Sequence, residues 1–128
     1  MINTAMDLEA LILQELRYFD SEDQRRAFLA ARTSPAEVIQ SCSWGAPDDR
    51  HACIVIARDA RCQIVWCPTG FGPSFPWSVQ EIGETDLGMD CDWDAYLYEA
   101  FVSSTLWSGG LPEGFIRMVR GERASGAV

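Results

Sequence analysis

Apolar residues near the start of the chain recur at helical spacing. After Thr4, the side chains of Leu8, Leu11, Ile12 and Leu16 fall on one face of a 3.6-residue repeat. Thr4 is a favourable N-cap residue, and Asp7 stands three positions later, where the partner of a capping box belongs. This pattern predicts an amphipathic helix over residues 5–18.

The capping signature then occurs twice more. Ser21 and Gln24 repeat it and predict a second helix over residues 22–31. Ser34, followed by a proline and then by Glu37, is a third start signal, because proline suits the first position of a helix. We expect a third, short helix from this point to about Ser41.

From His51 onward the pattern changes to runs typical of strands. Residues 51–58 are rich in β-branched and apolar side chains, and residues 61–67 form a similar run after a short polar break. Two such runs predict a hairpin with its turn at Asp59-Ala60. That register places His51, Cys53 and Val55 on one face with Cys62, Ile64 and Trp66, and places Ile54, Ile56, Val65 and Cys67 on the other. Both faces are apolar, so we expect the hairpin to be covered on both sides.

The remaining elements follow two loops. Residues 77–82 alternate apolar and polar positions, which predicts a third strand. Acidic residues from Asp90 then precede a stripe at helical spacing that ends by Ser108, which predicts a long amphipathic helix. Residues 115–120 could add a short edge strand. The stripe consists of Trp93, Tyr96, Leu97, Ala100, Phe101 and Ser104.

These elements predict one α+β domain over residues 1–120. It has N-terminal helices, a mainly antiparallel sheet of three or four strands, and one long helix after the sheet. Residues 121–128 are small and polar and are expected to form a disordered tail.

The composition of the chain excludes several classes of enzyme and of binding protein. Net charge is −9, and all ten basic residues are arginine. Without lysine, a Walker phosphate loop, a Schiff-base enzyme and a lysine general base are excluded. The five cysteines are an odd number, and residues 1–11 carry no basic cluster, so we expect reduced thiols and a cytoplasmic protein. No apolar run approaches the length of a membrane span, so no membrane partner is expected.

The negative charge is concentrated in one stretch. Between Cys62 and Ile116 there are eight acidic residues and no basic residue. Such a field repels nucleic acid and attracts basic proteins, and aromatic residues among the acids could anchor a partner. The alternative is a solvated surface that only maintains solubility. The predicted partner-binding residues are Glu81, Glu84, Asp86, Asp90, Asp92, Asp94, Glu99, Trp77 and Trp93.

Motifs for metal or cofactor chemistry are incomplete. Asp90, Asp92 and Asp94 alternate as in a calcium loop, but Ala95 and Phe101 stand where such a loop needs Gly and Glu. We interpret these acids as favourable charges at a helix N-terminus. His51 and the cysteines fit no common zinc spacing. We therefore predict no metal and no cofactor.

Two further patterns have structural explanations. The only histidine, His51, is the base that any Cys–His or Ser–His pair would use, yet Cys53 lies about 7 Å away along a strand. The loop from Gly70 to Trp77 contains G-x-G but lacks the third glycine of a phosphate-binding loop. We interpret its aromatic side chains as a cover for the sheet.

The function expected from these observations is a small acidic inhibitor, of the kind that bacterial immunity proteins represent, which neutralises a basic partner such as a toxin. An acidic chaperone or adaptor for a secreted effector is one alternative, and a small enzyme centred on His51 is another. DNA mimicry would need the acids to line up along one face. Oligomeric state and partner identity stay open.

Overall fold

The structure of this chain, a computed structural model, has two N-terminal helices followed by an antiparallel sheet and a short helix. It describes residues 4–42, 45, 48–88 and 92–117. The α+β class, the N-terminal helices and the antiparallel sheet agree with prediction. The elements are α1 (Thr4–Glu15), followed by a 3-10 turn (Leu16–Tyr18), α2 (Glu22–Ala31), β1 (Arg32–Ser41), β2 (Arg50–Arg58), β3 (Cys62–Trp66), β4 (Trp77–Glu81), β5 (Trp93–Asp94) and α3 (Leu97–Val102).

The second helix has the predicted bounds because its capping box forms. The Ser21 hydroxyl accepts the Gln24 N–H at 3.2 Å, and the Gln24 side chain accepts the Ser21 N–H at 3.2 Å. Each bond satisfies a backbone donor that the start of a helix leaves without an intrahelical partner.

The predicted third helix, from Ser34 to Ser41, is wrong: these residues belong to β1. They pair antiparallel with β2, from Ala36 opposite Val55 to Ser41 opposite Arg50. Pro35 lies where the register shifts between Arg32 and Ala36. A proline is tolerated on an edge strand at such an irregularity. Long-range pairing therefore overrides the local start signal.

Within the described residues the sheet has five strands rather than the predicted three or four, because residues 32–41 and Trp93-Asp94 also pair as strands. The order is β1-β2-β3-β4-β5, and neighbouring strands are antiparallel. The predicted register of the β2–β3 hairpin is wrong by two residues next to the turn, where Arg58 lies opposite Gln63, and by one residue farther along. Ile54 lies opposite Trp66 and Val55 opposite Val65, and the register shifts again between Val55 and Ala57. A slip of one residue moves side chains to the opposite face. Val55 thus shares a face with Val65 rather than with Ile64.

Both faces of the β2–β3 hairpin contribute side chains to buried clusters, as expected. The helices pack on one face around Phe28, Ile64 and Phe101. A second buried cluster, on the other face, contains Cys53, Val65, Cys67 and Leu87, together with Cys42 and Val55.

A segment after β4 closes the second face. Ser41 donates its N–H to Thr85 at 2.9 Å and accepts the Leu87 N–H at 2.8 Å, so this segment bridges the outer edge of β1. Beneath it, the amides of Gln40 and Gln80 exchange two hydrogen bonds of 2.8 and 2.9 Å. Both side chains are buried. The amide pair therefore links two strands that are not neighbours in the sheet.

The predicted long helix is much shorter than expected. Trp93-Asp94 pairs with β4 as a fifth strand, and α3 covers only Leu97–Val102. After the helix, the Ser103 hydroxyl donates to the Glu99 carbonyl at 2.6 Å and the Ser104 hydroxyl to the Phe101 carbonyl at 2.6 Å. These serines bond to backbone groups and help to end the helix.

The C-terminal predictions fall partly outside the described residues. Residues 115–117 do not join the sheet, whereas residues 118–120 of the predicted edge strand and the predicted tail, 121–128, lie beyond the described part. None of the described helices has both the length and the apolarity needed to cross a bilayer.

We predict that Gln80→Leu lowers the free energy of unfolding by about 1–3 kcal/mol, because it leaves part of the buried Gln40 amide unpaired. The double variant Gln40→Leu/Gln80→Leu should lose less than the sum of the two single variants, since both partners are then apolar. Urea unfolding followed by circular dichroism measures these values. Gln14→Leu, at an exposed position of α1, is the control and should change stability by less than about 0.5 kcal/mol. Additive losses in the double variant would contradict a coupled pair.

Candidate functional site

Polar and thiol side chains converge where β1 ends and β2 begins. Cys42 directly follows β1, and Asp49 and His51 flank the first residue of β2. One ligand atom from each of these three residues lies within 4.8 Å of the other two. The pairing of Ser41 with Arg50 brings the two strand ends together. We call Cys42, Asp49 and His51 the hairpin-end cluster.

The imidazole is held on both sides. His51 Nε2 lies 3.5 Å from Asp49 Oδ1, and His51 Nδ1 lies 2.9 Å from the Thr69 hydroxyl oxygen. Thr69 belongs to the loop that follows β3. These contacts, to a carboxylate and to a hydroxyl, hold the ring in place, as is usual for histidines that bind metals or transfer protons.

Thr69 also connects the imidazole to a buried thiol. Its hydroxyl oxygen lies 3.7 Å from Cys67 Sγ, within hydrogen-bonding distance for sulfur. A hydrogen bond from the Cys53 thiol, together with bonds from the Thr69 hydroxyl and the backbone N–H groups of Gly70 and Thr69, lowers the pKa of Cys67 to about 6, against the effect of burial. The bond to Cys67 and burial raise the pKa of the Cys53 thiol. The pair therefore favours a thiolate on Cys67 and a proton on Cys53.

An open groove borders this cluster on the helix-bearing face of the sheet. Its volume is about 610 Å³, and His51 and Thr69 form part of its wall. The rest of the lining consists of Glu37, Arg50, Ala52, Ile54, Trp66 and Pro68. Ile39 lies opposite Ala52 on β1 and is 55% exposed, so the apolar surface extends beyond the groove. We call this surface the hairpin-end groove.

Three of the nine predicted partner-binding residues are buried: Trp77 is 0% exposed, Asp94 3% and Glu99 0%. Trp77 packs in the core beneath the helices. Asp94 forms an ion pair with Arg117, and Glu99 accepts the Tyr96 N–H at 3.0 Å. These side chains support the fold in this structure rather than contribute to its surface.

Three others lie between the end of β4 and the edge of β1. Glu81 is exposed at the end of β4. Glu84 accepts the N–H groups of Thr85 and Asp86 at 3.1 and 3.2 Å. Asp86 accepts the Ser41 hydroxyl at 2.7 Å and the Gly88 N–H at 2.6 Å. The last two carboxylates therefore also stabilise the segment that closes the sheet.

The remaining three predicted residues belong to the segment before α3. Asp92 is exposed and lies 3.4 Å from Arg117. Trp93 is half-buried, donates its Nε1–H to the Leu87 carbonyl at 3.1 Å and contacts the ring of Phe71. Asp90 lies outside the described residues. The structure does not bring Asp92 and Trp93 together with Trp77 as one exposed face, because Trp77 is buried.

Sequence reasoning missed Cys42, Asp49, Thr69 and Trp66 as site residues. The sequence signal for Cys42 and Asp49 was their position at the two ends of the loop that precedes His51. It becomes visible only when residues 34–41 are recognised as a strand, because a hairpin brings its ends together and a helix does not. Thr69 and Trp66 depend on the correct β2–β3 register.

Comparisons with protein-family descriptions, with curated proteins and with solved structures found no match to this chain. The function is therefore argued from the chain's own residues.

We predict that one thiol of the native protein ionises at a pH of about 6, and that Cys67→Ala removes this transition. The folded-state pKa is lowered, so the thiolate contributes stability that is present above the unfolded-state pKa of about 8.5 and is lost as the pH falls through about 6. Thiolate absorbance against pH, together with urea unfolding at each pH, measures both effects. Cys62→Ala, which removes a buried thiol outside this pair, is the control. An unchanged transition in Cys67→Ala would contradict the assignment.

Proposed function

We propose that this chain is a small acidic protein-binding domain that neutralises a basic protein, such as a toxin, and that the hairpin-end groove is its binding face. The observation that supports this proposal is an uncovered apolar floor containing a tryptophan on a chain with a net charge of −9. We therefore assign the aromatic anchor to Trp66 instead of the predicted Trp77.

The floor of the groove has the properties of an interface centre. Trp66 and Ile54 are half-buried and lie opposite each other on neighbouring strands. Ile39 projects on the same face at 55% exposure. Contiguous exposed apolar surface is a mark of binding sites, and aromatic anchors in partly enclosed pockets contribute most to affinity. Covering this floor would remove apolar area from water.

Charge favours a basic occupant. Glu37 is exposed in the groove wall, and Asp48 is exposed in the loop before β2. Arg50 also lines the groove, so the attraction of a basic protein comes mainly from the net charge of the chain. The overall negative field speeds the approach of a basic protein, and the apolar floor provides the contacts that slow its dissociation.

A chaperone or adaptor for a secreted effector would use the same groove for an extended segment. The two functions differ in the partner and in the chaperone's expected dimer. An enzyme centred on His51 is supported by the contacts from Asp49 through His51 and Thr69 to Cys67. Cys67 is 0% exposed, however, so a substrate could not reach its sulfur in this conformation.

We predict that Ile39→Arg weakens partner binding at least about tenfold, because it places a long cationic side chain beside the apolar floor against a basic protein. The partner is first captured from a lysate of the source organism at low and at high salt and identified by mass spectrometry. The purified partner is then titrated calorimetrically with each variant.

Leu29→Arg is the matched control. Leu29 is 49% exposed on α2, so this variant replaces a similar aliphatic residue and adds the same charge away from the groove. Its affinity should stay within about twofold of the unmodified protein. Equal losses in the two variants would show that net charge alone drives binding, and an acidic partner would reject the proposal.

A further inference from the structure

The hairpin-end cluster combines three kinds of metal-binding atom. Cys42 offers a sulfur, Asp49 a carboxylate oxygen and His51 a ring nitrogen, and these atoms lie within 4.8 Å of one another. The carboxylate and the imidazole nitrogen Nε2 are 3.5 Å apart. Bond lengths of about 2.0–2.3 Å around a tetrahedral ion put ligand atoms about 3.3–3.8 Å apart. A short inward movement of the sulfur would complete that spacing.

Gly45 packs closely against both the Cys42 sulfur and the Asp49 carboxylate. Gly45 donates its N–H to the Cys42 carbonyl at 3.0 Å. A Cβ atom on Gly45 would lie 2.7 Å from Asp49 Oδ2 and 3.2 Å from Cys42 Sγ. Any side chain at this position would therefore collide with the Asp49 carboxylate and crowd the Cys42 sulfur.

One of the two neutral tautomers of His51 directs a lone pair toward the cluster. When Nδ1–H donates to the Thr69 oxygen, the Thr69 hydroxyl can donate its own proton to Cys67. Nε2 is then an acceptor that faces the Asp49 carboxylate, which is also an acceptor. Either a proton on Nε2 or a metal cation bound to both atoms would offset the repulsion between these two acceptors.

We propose that Cys42, Asp49 and His51 bind Zn²⁺ as a site with three protein ligands. A thiolate, an imidazole and a carboxylate together suit zinc, whereas calcium and magnesium prefer oxygen ligands alone. Thr69 would fix the ring through Nδ1, as outer partners of metal-binding histidines do. Sites with three protein ligands keep a fourth position for water or another ligand. His51 also lines the hairpin-end groove, which gives solvent a route to the site.

The test uses the 128-residue chain without an affinity tag. After treatment with a chelator, it is titrated with Zn²⁺ in competition with a chromophoric chelator, and separately with Co²⁺ to record the thiolate-to-cobalt charge-transfer band. We expect one Zn²⁺ per chain. Asp49→Asn should weaken zinc binding at least about tenfold, because it removes a charged ligand.

Each variant has a matched control. Asp48→Asn makes the same change at the neighbouring exposed aspartate and should leave zinc affinity within about twofold. Cys42→Ser should abolish the cobalt charge-transfer band, whereas Cys62→Ser, at a buried thiol outside the cluster, should retain it. If Cys42→Ser does not fold, the two aspartate variants decide the question.

Three results would overturn the zinc site: no binding of Zn²⁺ by the unmodified protein, equal affinities of Asp48→Asn and Asp49→Asn, or a charge-transfer band that persists in folded Cys42→Ser. The site does not rest on the proposed protein-binding function. Partner capture with and without chelator tests the zinc site and the protein-binding function separately. If Asp49→Asn loses zinc binding but still binds the partner, the zinc site is supported and the proposed function stands.

Discussion

The antiparallel pairing of β1 with β2 is the interaction on which the rest of the structure depends. Its register, with Gln40 opposite His51 and Ser41 opposite Arg50, sets which side chains meet at the loop end of the hairpin. The same strand gives its outer edge to the segment around Asp86 and its Gln40 amide to Gln80. A one-residue slip would reverse every side chain of β1 and take Gln40 out of this pairing.

Local signals in the sequence identify the elements whose partners are local. The capping box of α2 and the β-branched runs of β2 and β3 are enough to predict these elements, because short-range hydrogen bonds and side-chain burial favour the same structure there. They fail at residues 34–41, where a proline after a serine imitates a helix start while the stabilising contacts come from β2. They also fail before α3, where Trp93-Asp94 pairs with β4 although its spacing suits a helix. In both places the deciding hydrogen bonds join residues distant in the chain.

A run of acidic residues in sequence is not the same as an acidic surface. Asp94 is neutralised by Arg117, which stands just beyond the stretch that lacks basic residues. Glu99 is buried against a backbone N–H, and Glu84 holds the turn that follows β4. The net charge, which decides long-range attraction, could be read from composition. The position of the proposed binding face could not be predicted from composition, because it depends on which sheet surface the helices leave uncovered.

The thiol and imidazole chemistry at the end of the hairpin forms one connected network. A cation on Nε2 of His51 would withdraw electron density from the ring and make Nδ1–H a stronger donor to Thr69. The Thr69 hydroxyl oxygen would then accept a stronger hydrogen bond, and the hydroxyl would in turn donate more strongly to the Cys67 sulfur. The proposed zinc site therefore carries a consequence for a sulfur that it does not touch: a positive charge at His51 favours the thiolate of Cys67, and loss of that charge favours the thiol.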